Sequence, residues 1–373
     1  MNNSYIIPKG ELVSYAAAIE YENNIIPMLE EVNSTMKKLN SDENLIGNNP
    51  ISVMEEIHLD HSKVMISVFK LNDYNLLKNT LNWVLSAYGA RGFKDKYFRL
   101  EIEAWIKAIK EILDPHFSSE IIKIYEWMIS ILDSIKEENN KNIDPLKYPF
   151  GPDWETKKNK FFNLLIKGSS SEALEFSKTI VTDKESLENF YDRIVTYSMY
   201  EVGLLWQKGL ISVSQEHLAS SVVMKVMSYL YSNFVLIENT KGKAIITASV
   251  SQHHELGARM VSDVLELDGW DVKFVGANVS NDELIEIIKE VKPTFIGISV
   301  TLVLNIDNTK NLIAQIRSDP NLESIKILVG GNAFTFGIDE KEQIGADKIS
   351  LTIYETLQTA KLWWKEENEL KFK

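Results

Sequence analysis

The chain has 373 residues, 45% hydrophobic and 25% charged, a globular composition long enough for two or three domains. Its net charge of -13, with no basic block, disfavours direct contact with nucleic acid, because phosphate binding needs clustered Lys and Arg. The lack of cysteine excludes disulfides, thiolate metal sites, cysteine nucleophiles and thioether-linked chromophores. No signal-like N-terminus and no run of ~18 apolar residues is present, so a cytoplasmic protein without membrane contact is expected.

From Glu11 to about Glu138, apolar residues recur at helical spacing and predict a bundle of about five helices. In "YFRLEIEAWIKAIKEIL", Phe98, Ile102, Trp105, Ile109 and Ile112 share one face; Pro115 ends that helix, and Ser118 or Ser119 can cap the next. The aromatic stripe of Tyr97, Phe98, Trp105 and Trp127 reads as core. His58 and His61, three apart on one helical face, and His116 can ligate haem or contact a non-covalent bilin, although the plainer reading is solvated helix histidines.

The segment from Lys136 to Glu155 is polar, then rich in Pro and Gly, and marks a domain boundary. The expected organisation is a helical domain over 1–140, a linker over 141–154, a four-helix bundle over 155–238 and a sheet domain over 239–373. In the bundle, the breaks fall at "KGSSSE", "VTDKES" and "QKGLIS". Beyond "ENTKGK" the pattern changes to short β-branched runs, "AIITAS", "DVKFVGA", "FIGISV", "IKILVGG" and a weak "DKIS", alternating with amphipathic helices. The fold class is therefore mainly α plus α/β, ending in a flavodoxin-like five-stranded parallel sheet. Trp363 and Trp364 should pack the last helix onto that sheet.

Ligands of such sheets sit outside the carboxyl ends of the strands. There the chain places "SVSQHHELGARM" (Ser249 to Met260), then Ser299 and Thr301 in "GISVTL", then Gly330 and Gly331 in "LVGGNAF". One crevice thus receives imidazoles, small hydroxyls and bare backbone, which suits a large planar ligand with a buried tail better than a phosphate.

With this spacing, His254, Gly257, Ser299 and the Gly330-Gly331 pair resemble the cobalamin-binding pattern D-x-H-x-x-G, S-x-L, G-G. The resemblance implies that His254 is the metal ligand, binding cobalt from below, while the corrinoid tail runs beside Ser299 and the glycines. Gly257 would let the helix start approach the corrin. Two positions depart from the pattern. Gln252 stands where the family has an acid, and Thr301 stands where it has Leu, with Leu302 one place later. A Gln amide can orient the imidazole ring but brings no charge to it, which implies a weaker cobalt bond.

Upstream, Trp206, nine residues and Glu216-His217 resemble the signature of cobalamin-binding photoreceptors, without their usual winged-helix DNA-binding domain. That resemblance implies a cap in which Trp206 packs on the adenosyl group of adenosylcobalamin while Glu216 and His217 bond its ribose and adenine. The function expected from it is light sensing without catalytic turnover, through photolysis of the cobalt-carbon bond and a change of conformation or assembly. Relatives that recapture cobalt with a His after the Trp have Gln207 at that position here. The alternative is a corrinoid methyl carrier of a methyltransferase system, and a third possibility is a sensor of cofactor level. A homo-oligomer or a protein partner is expected to engage the N-terminal domain.

Overall fold

The structure, a computed structural model, describes residue 8 and residues 12–141, 148–234, 240–250, 252, 254–336 and 344–371. The chain divides into two compact units, Met1–Pro145 with Gln207–Gly209, and Leu146–Trp206 with Leu210–Lys373.

The first unit contains six helices among the described residues, where periodicity predicts about five. They are α1 (Tyr15–Asn23), α2 (Ile25–Glu43), α3 (Ile51–Leu71), α4 (Tyr74–Gly89), α5 (Asp95–Ile112) and α6 (Pro115–Lys141). The extra helix arises because Asn24 alone separates α1 from α2, so their apolar patterns run together in the sequence. Ser14 caps α1 and Asp73 caps α4, each accepting a backbone N–H. Asn72 ends α3 in the left-handed region (φ 51°) and binds Val13 through both N–H and C=O, at 3.1 and 2.9 Å. It thereby ties the N-terminal segment to the bundle.

The aromatic stripe is core: Tyr97, Phe98 and Trp105 are buried and Trp127 is partly so. The histidine expectation needs correction. His58 is fully buried, with Nδ1 2.6 Å from Asn33 Oδ1 and Nε2 3.0 Å from the Tyr97 hydroxyl. His61 stacks on Trp105 and lies 3.1 Å from the Tyr125 hydroxyl, which in turn meets Tyr21 at 2.8 Å. His116 is exposed at the start of α6. Both nitrogens of His58 are engaged inside the bundle, so it is neither solvated nor presented to a haem or bilin.

The second unit begins with α7 (Pro152–Ile166), α8 (Ser170–Lys178), α9 (Lys184–Asn189), α10 (Thr196–Gln207) and α11 (Val213–Ser232). A π-helical stretch, Phe190–Val195, joins α9 to α10, making four helical rods in all. Then come β1 (Lys243–Ala248), α12 (Leu256–Leu267), β2 (Asp271–Gly276), α13 (Asn281–Val291), β3 (Phe295–Ser299), α14 (Ile306–Ser318), β4 (Lys326–Gly330), β5 (Lys348–Ser350) and α15 (Ile353–Lys371). The strands are all parallel, in the order β2-β1-β3-β4-β5, as the βα alternation predicts.

Strands β1, β3 and β4 are buried over nearly their whole length, which is why they read as continuous apolar runs. Trp363 and Trp364 do hold α15 to the sheet, against Phe295 (5.7 Å between ring centres) and Trp270 (5.8 Å). The helical rods and the sheet share one apolar core, in which Phe161, Phe190 and Val226 join Val264, Leu357 and Trp363.

Candidate functional site

The parallel register fixes which residues meet at the carboxyl ends. Ala248 of β1 pairs with Ser299 of β3, Ser299 with Gly330 of β4, and Gly330 with Ser350 of β5. Ser299 and the glycine pair, 31 residues apart in sequence, are therefore neighbours in space. This convergence follows from topology alone, since every parallel strand delivers its end to the same edge.

Backbone contact explains the glycines. A Cβ at position 330 would come within 2.4 Å of Ser350 O, and one at 331, where φ is +104°, within 2.4 Å of Val300 O. Gly257 differs: it is exposed, and the nearest atom to a Cβ there is Ser299 Oγ at 3.9 Å. The start of α12 and the end of β3 thus approach each other at van der Waals distance on an exposed rim. His254 lies at this rim with its side chain exposed, two residues ahead of α12, whose unpaired N–H groups open toward the same edge. His253 lies outside the described residues.

Gln252 does not serve the imidazole ring as expected. It is 2% exposed, donates from Nε2 to Ser299 O (2.7 Å), and accepts at Oε1 from the Thr301 N–H (3.1 Å) and from Asn305 Nδ2 (3.4 Å). Thr301 takes part through its backbone. Asn305 and Thr309, absent from the sequence expectations, are buried beside it. Their only signal was polarity at helical spacing in "LNIDNTKN", which reads equally well as a solvated face.

On the helical rods, Trp206 is the last residue but one of α10 and is partly buried against the shared core. Glu216 lies in the first turn of α11, where its carboxylate suits the helix N-terminus, and accepts from Ser220 Oγ at 2.9 Å. The exposed His217 ring lies 3.4 Å from Glu216 Oε2. Packing holds the Trp, and helix-end chemistry holds the Glu-His pair. Below them, the π-helical stretch turns Tyr191 toward α12, and its hydroxyl donates to Asp263 Oδ2 at 2.8 Å, with both groups buried. Burial raises the Asp263 carboxyl to about 6, partly offset by that hydrogen bond.

Residues 242–357 match the family model "B12 binding domain", and residues 158–231 match a second model of the same description. These are B12-binding domains. Both matched stretches lie in the second unit, one on the helical rods and one on the sheet, and the exposed imidazole and bare glycine backbone there fit a corrinoid. Among curated proteins, Dimethylamine corrinoid protein 1 of Methanosarcina mazei is 25% identical over 191 residues, 51% of this chain and 86% of that protein. Trimethylamine corrinoid protein 2 of Methanosarcina acetivorans is 30% identical over 108 residues, 29% of this chain and 49% of that protein. The solved monomethylamine corrinoid protein of Methanosarcina barkeri aligns over 54% of this chain and 95% of its own, at 19% identity and a TM-score of 0.48.

These relatives correct the light-sensing expectation. They are corrinoid proteins named for methylamines, whereas the photoreceptor subtype drew on the spacing of Trp206, Glu216 and His217. Among the described residues, no helix is long and apolar enough to cross a membrane.

Proposed function

We propose that the chain is a corrinoid methyl carrier, loaded and unloaded by separate methyltransferase partners and doing no turnover unaided. The observation that carries this reading is the exposed His254 imidazole on an open rim at the sheet's carboxyl edge, within domains whose curated relatives are methylamine corrinoid proteins. A bound corrinoid would supply a cobalt centre that accepts and releases a methyl group, drawn from a small methylated donor such as a methylamine.

The protein's own part is holding and shielding. His254 would ligate the cobalt, Ser299 and the bare backbone at Gly330 and Gly331 would flank the tail, and Gly257 would leave the α12 start open to the ring. Trp206, partly buried against the core, would shield the reacting side, with Glu216 and His217 as polar groups at its edge. The first unit would dock a partner protein or a second copy.

The test is retention and transfer. Protein incubated in the dark with methylcobalamin should keep it through gel filtration, at least as well as it keeps adenosylcobalamin, and should pass the methyl group to a thiol when a corrinoid-dependent methyltransferase is added. Retention of adenosylcobalamin alone, or of no corrinoid, would overturn the proposal.

A further inference from the structure

Gln252 occupies the position where the cobalamin-binding pattern has an acid, and its environment explains the exchange. In a parallel ladder, one residue gives its N–H to the carbonyl of residue j−1 on the neighbouring strand and receives the N–H of residue j+1 on its own carbonyl. The Gln252 side chain does the same on β3, giving Nε2–H to Ser299 O at 2.7 Å and receiving the Thr301 N–H at 3.1 Å. The backbone ladder ends just before it, where the Ser249 N–H reaches the same Ser299 oxygen at 2.9 Å.

A ring of side chains closes behind this amide. Asn305 Nδ2 reaches Gln252 Oε1 (3.4 Å), Thr309 Oγ1 donates to Asn305 O (2.9 Å), and Ser249 Oγ meets Thr309 Oγ1 (3.1 Å). All four residues are at most 5% exposed. The ring thus joins the end of β1, the residue two before His254 and the first turn of α14.

We infer that Gln252 is a positioning residue whose side-chain amide stands in for one more paired residue of the β1–β3 ladder, pinning the turn that carries His254 to the wall formed by Ser299 and Thr301. The role needs a donor and an acceptor on one planar group. A carboxylate has only acceptors and would set two oxygens against each other at Ser299 O in a site closed to water. A carboxylate on a side chain of this length would therefore lose the bond to Ser299 O, and the contacts that hold Gln252 are neutral hydrogen bonds. The role of His254 itself rests on the carrier reading, whereas the pinning does not.

The test has two readouts. In corrinoid-free protein, Gln252→Glu and Gln252→Ala should speed hydrogen exchange at the Thr301 amide about ten-fold or more, with unchanged circular dichroism. Loaded with a cobalt(II) corrinoid, both variants should keep the single-nitrogen splitting of a histidine ligand in electron paramagnetic resonance, while binding about ten-fold more weakly. Unchanged Thr301 exchange would overturn the inference. So would loss of the nitrogen splitting in Gln252→Ala at saturating corrinoid, because Gln252 would then act on the ring. Failure of the wild type to bind any corrinoid would defeat the carrier reading and leave the exchange result to decide the role of Gln252.

Discussion

In the first unit, polar groups occupy the middle of the helical bundle; in the second, the strands are apolar inside and the site's polar groups gather at one edge of the sheet. The difference lies in what each topology does with a buried side chain. A helix presents a broad face, so His58, His61, Glu101 and three tyrosines can be enclosed and must find partners among themselves. A parallel strand covered on both faces has no interior place for such groups, and they collect where the strands stop. Glu101 is the extreme case: it is 4% exposed, with Oε1 3.8 Å from His61 Nδ1, and burial lifts its carboxyl to about 8, only partly offset by the Trp105 indole.

The contrast breaks first where packing is purely apolar. Trp270 is fully buried, 4.9 Å from Phe295 and 5.8 Å from Trp364 between ring centres, so Trp270→Ala should lower the second unit's stability by about 3–5 kcal/mol. Chemical denaturation should find the same loss at pH 5 and pH 8. At the edge of the same sheet, Gly331→Ala brings a methyl against Val300 O at a positive φ and should cost about 2 kcal/mol or more, measured in the same way.

In the first unit the sign reverses and pH enters. The folded-state pKa of Glu101 is raised from 4.5 to about 8, so its contribution to stability is fully present below pH 4.5 and is lost as pH rises through 8. Glu101→Gln should therefore stabilise the protein at pH 8 by about 2 kcal/mol and do little at pH 4.5. Burial lowers His58 to about 4; burial, with a smaller effect from His58, lowers His61 to about 3. Their contribution is lost as pH falls from 6.5 toward those values, so the bundle weakens at both ends of the range.

The smallest expected effect joins the two kinds of core. Tyr191→Phe removes the donor to Asp263, whose carboxyl titrates near 6, and should cost about 1.5 kcal/mol at pH 8 and about half that at pH 4, where the neutral acid still accepts but more weakly. No loss at either pH would mean that the ring, not the hydroxyl, holds α12 to the helical rods.

The same contrast governs what the sequence discloses. The βα alternation and the spacing from His254 to Ser299 and Gly330 suffice to place the sheet and its edge, because topology leaves no other arrangement. The polar core of the first unit is hidden, because His58 and His61 at a three-residue spacing look the same on a solvated face as on a buried one. Asn24, a single residue between two helices, leaves no gap in the apolar pattern, and the π-helical stretch that aims Tyr191 has no local signature. Gln252 is visible as a departure from the cobalamin pattern, but its partners on β3 lie about fifty residues away and only the folded register brings them together. Trp206 with Glu216-His217 misled in the opposite way, since a spacing set by two helix ends also matches a photoreceptor signature.

Cobalt ligation by His254 is the central claim, and electron paramagnetic resonance of the protein loaded with a cobalt(II) corrinoid tests it most directly. The wild type should show hyperfine lines split by one nitrogen when the corrinoid's own base is labelled with a different nitrogen isotope. His254→Ala should lose that protein-derived splitting while keeping the helical and sheet content of the wild type. Retention of the splitting in His254→Ala would contradict the account and move the ligand elsewhere in the chain.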